Sequence, residues 1–367
     1  MHTDKIRALN PCASVSIRGQ FFPLCPVFTN LNRPDLRLTG VTRLLGILVC
    51  ASALAQAPVV GDIEFYGLHN LTPERILGPI RLSTGDPIPP SKGALEDRIA
   101  EIPGVVLARV EAACCQGRRT ILFIGIEERG GPHPAFRSAP EGQATLPPEI
   151  VDSYKEFLGA VSHAAGQGRT AEDLTAGHSR MDDPAARAIQ DRFLTFAADH
   201  VEMLRSVLRN GSEDDQRATA AAVIGYVPKK EAVLDDLQFA LQDPDDAVRA
   251  NAARALNAFA VAGIKVSPTW LLEMLNSVVL SDRVEAVRTL LTLTDKPAPE
   301  VIAQLREHGL PAVVEMARWK TPTYALPPFL LVARAAGLTD QQAQTSWQKG
   351  DRETVIGKVV GGPQRKR

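Results

Sequence analysis

Asp243-Pro244-Asp245-Asp246-Ala247-Val248-Arg249-Ala250-Asn251-Ala252-Ala253-Arg254-Ala255-Leu256 is the stretch on which the fold turns. Val248, Ala252, Leu256 and Phe259 return on one face of a helix, and Leu234, Leu237 and Leu241 mark an apolar helix before it. The acidic turn between them suits its place: Pro244 stops the first helix, and aspartate caps the second and favours its positive dipole end. The pattern recurs. Gln216-Arg217-Ala218-Thr219-Ala220-Ala221 overlays Val248-Arg249-Ala250-Asn251-Ala252-Ala253 at an offset of about 32, with Ile224 on Leu256, the length scale of paired-helix solenoids. A third copy is placed with Val284, Glu285 and Ala286 on Val248, Arg249 and Ala250, so Glu285 stands at its arginine position and the copy reads as degenerate.

Aspartate, then Val-Arg and a run of alanines, resembles the HEAT repeat, and the resemblance implies an α-solenoid over about 200–300. Helical spacing begins earlier, with Ile150, Tyr154, Phe157, Leu158 and Val161, breaks in the Gly-rich stretch from Gly166 to Gly177, and resumes from Pro184 to Leu208. Beyond the repeats, Pro311, Pro322, Pro327 and Pro328 cut the chain into short helices suited to a terminal cap. The helical region is set at 149–340, with a frayed tail over 341–367.

Residues 58–128 read differently. Ile63 and Phe65 alternate with Asp62 and Glu64 as in a half-buried strand, and Gly67 turns the chain. Thr72-Pro73 opens a short helix; Ser91 caps a second, with Leu95, Ile99 and Ile102 on one face. Two strands follow: Val105 to Ala112, with one wet face, and Thr120 to Glu127, apolar enough from Ile121 to Ile126 to be central. This β-α-α-β-β order, with the Ile-Pro-Gly-Val turn and the closing Ile126-Glu127-Glu128, resembles the polypeptide-transport-associated (POTRA) domain of envelope assembly and secretion proteins. The resemblance implies that polypeptide is bound by strand addition at a sheet edge, for which Val106, Ala108 and Val110 are the candidate residues. The alternative reading is that Arg109 and Glu111 merely protect this edge from aggregation. Helices rather than the β-rich sequence of an outer-membrane barrel come next, across a Pro/Gly-rich linker at 129–148 with no period. With no pattern to couple them, the two units are expected to fold independently.

Upstream, Leu44 to Ala55 is an apolar run preceded by Arg43 and ending in the small pair Ala53 and Ala55, the pattern of a secretory signal over 43–57 with cleavage after Ala55. It falls short of a membrane span, and residues 1–42 read as unstructured or as lying ahead of the true translation start. Val49 stands where a lipobox needs a small residue, which argues against lipidation at Cys50. Export leaves only the vicinal pair Cys114-Cys115, read as small residues at a strand end rather than as a disulfide or metal site.

Of the 367 residues, 45% are hydrophobic and only 5% aromatic, which favours helices packed through small residues. The six Lys/Arg and two acids before Pro58 leave the remainder at net −5, so no basic footprint for nucleic acid exists. No phosphate loop, dinucleotide fingerprint, His-Glu-x-x-His, Gly-x-Ser-x-Gly or EF-hand loop occurs. The acidic clusters at Glu213–Asp215 and Asp243–Asp246 fit helix caps better than a calcium loop, and His178-Ser179 with Asp199-His200 assembles a triad only on paper. The expectation is an α+β protein, mostly helical: a small β-α-α-β-β domain followed by an all-α HEAT-like solenoid. It is read as a non-enzymatic scaffold binding a protein or peptide partner in the bacterial periplasm or at the outer membrane, with no cofactor, metal or nucleic acid. The competing reading is an enzyme built on the repeats.

Overall fold

The structure, a computed structural model, describes residues 58–116 and 119–361, and no side chain within 114–118; the expected leader, its cleavage site and Cys50 lie outside the described residues. In the first unit β1 (Val59–Tyr66), α1 (Pro73–Ile80), α2 (Lys92–Ala100), β2 (Val105–Gln116) and β3 (Arg119–Glu128) follow one another as expected. The sheet order is β1-β3-β2, with β3 parallel to β1 and antiparallel to β2, so β3 is central. Ser91 Oγ accepts from Ala94 N at the start of α2, whereas Thr72 makes no side-chain cap to α1. Glu128 closes the unit by accepting backbone N–H groups of His69, Asn70 and Leu71; burial opposes its ionisation, but these bonds hold its carboxyl below the usual range.

Both faces of β3 are covered. Leu122, Ile124 and Ile126 pack under α1 and α2 with Ile76, Ile80, Leu95 and Ile99. Ile121 and Phe123 face the other way and join the core of the helical region. A methyl added at Gly125 would sit 2.3 Å from Val278 O, so this face meets backbone as well as side chains.

The helical region opens with α3 (Pro148–Gly166), a short hairpin of β4 (Glu172–Asp173) and β5 (Arg180–Met181), and α4 (Pro184–Asp199). The chain breaks at His200, where one continuous helix was expected. Three helix pairs follow: α5 (Val201–Asn210) with α6 (Asp214–Ile224), α7 (Leu234–Ala240) with α8 (Asp246–Val261), and α9 (Thr269–Met274) with α10 (Leu280–Leu293). Then come α11 (Pro299–Gln304), a π-helical turn, α12 (Leu310–Ala317), α13 (Pro322–Ala335), α14 (Asp340–Gln348) and α15 (Arg352–Val360).

Three expectations are corrected. Up to residue 361 the tail is ordered rather than frayed: a capping box at Thr339 and Gln342 starts α14, and α15 buries Val355 and Ile356. The third repeat does possess its arginine. Arg217, Arg249 and Arg283 are each the fourth residue of their helices, and the interval grows from 32 to 34 residues, so Arg283 rather than Glu285 is the equivalent. Finally, the units are not independent. Tyr66 and Phe123 enter a cluster with Trp319 and Tyr324, ring centroids 4.7–6.0 Å apart, and the sheet shares the array's core. The coupling runs through a face and an edge of the sheet.

Candidate functional site

The expected strand edge is where the sequence placed it, on β2. Ala108 and Val110 are buried against α2, while Val106 is 51% exposed. The edge is partly closed from within the unit: Val110 N donates to Glu96 Oε1 (2.7 Å), and Arg109 donates to Ala108 O (3.1 Å). Arg109 and Glu96 are themselves 3.9 Å apart, and Lys92 lies 3.8 Å from Glu96. Glu111, expected beside Arg109 as an edge guard, instead accepts from the Leu280 backbone at the start of α10, and burial pushes its carboxyl up.

The opposite edge, β1, is sealed by the array. Glu64 Oε1 accepts from the backbone N–H groups of Lys320 (2.6 Å) and Thr321 (3.2 Å), and Trp319 Nε1 donates to Phe65 O (3.0 Å). Near the strand's start, Val60 exchanges bonds with Asp86 O and Gly85 N.

Within the array the repeated arginines form a buried ladder. Arg217 donates to both carboxylate oxygens of Asp243 (3.0 and 2.9 Å), Arg249 to Asp282 (2.7 Å through Nη2) and Arg283 to Glu315 (3.1 Å). Each also bonds carbonyls in the turn before its own helix: Gly211 and Ser212, Asp243 and Pro244, and Ser277. One arginine thus ties its own turn to the acid of the next unit, which satisfies most of its donors out of water. Asp243 and Asp245 of the acidic turn are spent on this ladder and on capping Val248 N.

The stretch expected to be a free linker is pinned along these rungs. Arg137 N donates to Gln242 O (2.8 Å), its guanidinium reaches Asp243 (3.1 Å) and lies 3.7 Å from the Phe239 ring centre, and Phe136 lies over Arg249 at 3.8 Å. Further on, Ser212 N donates to Gly142 O, Leu146 N donates to Gln216, and Leu146 is buried. Gly142 is required where it stands, since a Cβ there would meet Asn210 O at 2.2 Å. Sequence reasoning missed this strap because proline, glycine and alanine without a period carry no sign of what they lie against. Beside it a shallow groove is lined by Arg209, Gln238, Phe239 and Trp270.

The paper triad does not assemble around a nucleophile. Ser179 Oγ donates to Glu172 (2.6 Å) and accepts from Gln190, while the His178 ring faces Lys230 and Tyr226. Lys230 is buried beneath that hairpin, donates to Gly225 O (2.8 Å), and burial pulls its ammonium down to about 8. Among the described residues no three His, Cys, Asp or Glu side chains gather as a metal site, and no helix is long and apolar enough to cross a membrane.

No curated protein matches the chain. Residues 201–292, which hold the three helix pairs and the three arginines of the ladder, match the family model of HEAT repeats, and that part of the molecule is a helical-repeat array of the kind that serves as a protein-binding scaffold.

Proposed function

We propose that the protein is a non-enzymatic, exported scaffold of the bacterial cell envelope, in which the repeat array holds a protein partner and a POTRA-like unit braces one flank. The observation that carries this reading is the array itself: three stacked helix pairs whose ladder face already accommodates an extended stretch of chain. Export is supported by the apolar run from Leu44 to Ala55, preceded by Arg43 and ending in the small pair Ala53 and Ala55. The β-α-α-β-β order with β2 at the edge favours the POTRA likeness, although Glu96 narrows the room for strand addition there.

Two measurements test the two halves. Native protein should have its N-terminus near Gln56 and fractionate with the periplasm or outer membrane; an intact N-terminus ahead of Arg43 in the cytosol rejects export. Photo-crosslinkers at Asp235 or Gln238, beside the groove, should trap one discrete envelope protein that a crosslinker at Arg75 on α1 does not. Equal trapping at all three positions, or none, rejects the array as the binding surface.

A further inference from the structure

Two aromatic rings from outside the array lie on its arginine ladder. Tyr66 of β1 lies 4.7 Å from the Arg283 guanidinium, and Phe136 of the strap 3.8 Å from that of Arg249. In both cases the residue after the ring donates its backbone N–H to the array: Gly67 to Glu315 (2.9 Å) and Arg137 to Gln242 O (2.8 Å). The same recognition therefore occurs twice, an aromatic face over a guanidinium with the neighbouring backbone hydrogen-bonded.

The two seats differ in how firmly they are held. Tyr66 is fully buried in a strand, and its hydroxyl donates to Val278 O (2.9 Å). Phe136 is half-buried in a segment, 132–147, that has no helix or strand and a single bridge at Gly142. Its neighbour Arg137 is poorly satisfied. Asp243 already gives both oxygens to Arg217, and Arg137 Nε is buried without a partner. Asp243 and Asp282 keep their arginines without help from the strap, so the ladder is complete in its absence.

We propose that the strap is a displaceable internal ligand, and that the face formed by Arg249, Asp243, Gln242 and Phe239 accepts an extended partner peptide carrying an aromatic residue followed by arginine. The inference rests on the scaffold reading and names the partner's chemistry. The incoming ring seals the Arg249 guanidinium, the incoming arginine takes the Asp243 and Phe239 seat, and its N–H takes Gln242 O. While the strap is seated, its high effective concentration weakens the partner's apparent affinity, and loosening the strap restores it.

The test uses the full chain and a labelled synthetic peptide of residues 132–147. The double variant Phe136→Ala/Arg137→Ala should bind this peptide at least tenfold more tightly than the native chain does, and neither chain should bind the peptide carrying Phe136→Ala. Equal binding by the two chains, no binding by a variant whose circular dichroism is native, or equal binding of the two peptides overturns the proposal. Should the variant not fold, the native chain decides: excess peptide must speed amide exchange at Arg137 several-fold and leave Gly67 unchanged, and an unchanged Arg137 overturns it. A chain that traps an envelope protein yet fails here keeps the scaffold reading and loses the strap.

Discussion

The two edges of the three-stranded sheet are closed by different means. At β1, Glu64 takes two backbone N–H groups from the loop before α13, and Phe65 O is held by the Trp319 indole; the seal belongs to a separate part of the chain and is buried with it. At β2, the seal consists of two local side chains, Glu96 and Arg109, and the strand still carries the exposed Val106. An edge covered by a separate element of the chain opens only if the units part. One closed only by side chains of its own unit opens when a rotamer changes, with no parting of the units. The difference makes the sheet a fixed brace on one side and a guarded surface on the other.

The largest expected effect comes from wedging the fixed side. Gly125→Val places a branched side chain where Val278 O lies 2.3 Å from the ideal Cβ and the Tyr66 ring 2.5 Å, and nothing there can yield without moving α10 or β1. A loss of about 3 kcal/mol is expected from the overpacking and the loosened core. Chemical denaturation in a Trp270→Phe/Trp347→Phe background, followed by far-UV circular dichroism and tryptophan fluorescence, should lose its single transition, because the remaining Trp319 reports the dock and the helices report the array. A variant that unfolds in one step at the native midpoint would show that the docking of the sheet face on the array is incidental.

A smaller effect follows from the charge at the same edge. Burial, ahead of its two backbone bonds, pushes the Glu64 carboxyl above the ordinary carboxylate range. The folded state then holds the proton more tightly than the unfolded one, so Glu64 contributes stability that is present below the unfolded pKa, about 4.3, and is lost as pH rises through its folded value. Glu64→Gln keeps an acceptor for Lys320 and Thr321 and cannot ionise. Its thermal midpoint should therefore fall less than that of the native chain between pH 4 and pH 7. Parallel pH profiles would mean that Glu64 does not titrate differently in the fold.

What could be read in the sequence, and what could not, follows from the range of the interactions. Period-2 alternation placed β1 and β2, and the almost wholly apolar run Ile121 to Ile126 marked β3 as central; that run also fits a second covered face, since a strand with one wet face alternates. The helix pairs were legible from Val248, Ala252 and Leu256, but the third arginine was not, because the interval widens by two residues and alanine-rich helices tolerate several overlays. Bonds such as Gly67 N to Glu315 or Leu146 N to Gln216 join residues far apart in sequence and leave no local mark. Val106, Ala108 and Val110 could be assigned to an edge, whereas the closing of that edge by Glu96 depends on how α2 lies across the sheet.

The smallest expected effect on stability, and the sharpest for the comparison, is at β2. Glu96→Ala removes the carboxylate that accepts Val110 N–H and leaves Lys92 and Arg109 without their shared acid. The freed N–H lies at an edge that water can reach, so the cost should stay near 1 kcal/mol, the net value of one hydrogen bond to a charged group less what solvent returns. The consequence for association is larger. With Glu96 gone, Val110 N–H is unpaired beside the exposed Val106, and the edge becomes a template for a further strand. Sedimentation at increasing concentration should show the variant self-associating where the native chain stays at its own oligomeric state, and a second substitution, Val106→Lys, should reverse it. If Glu96→Ala stays as dispersed as the native chain while Val110 N–H exchanges freely with solvent, the β2 edge does not accept strands, and the array alone remains as the binding surface.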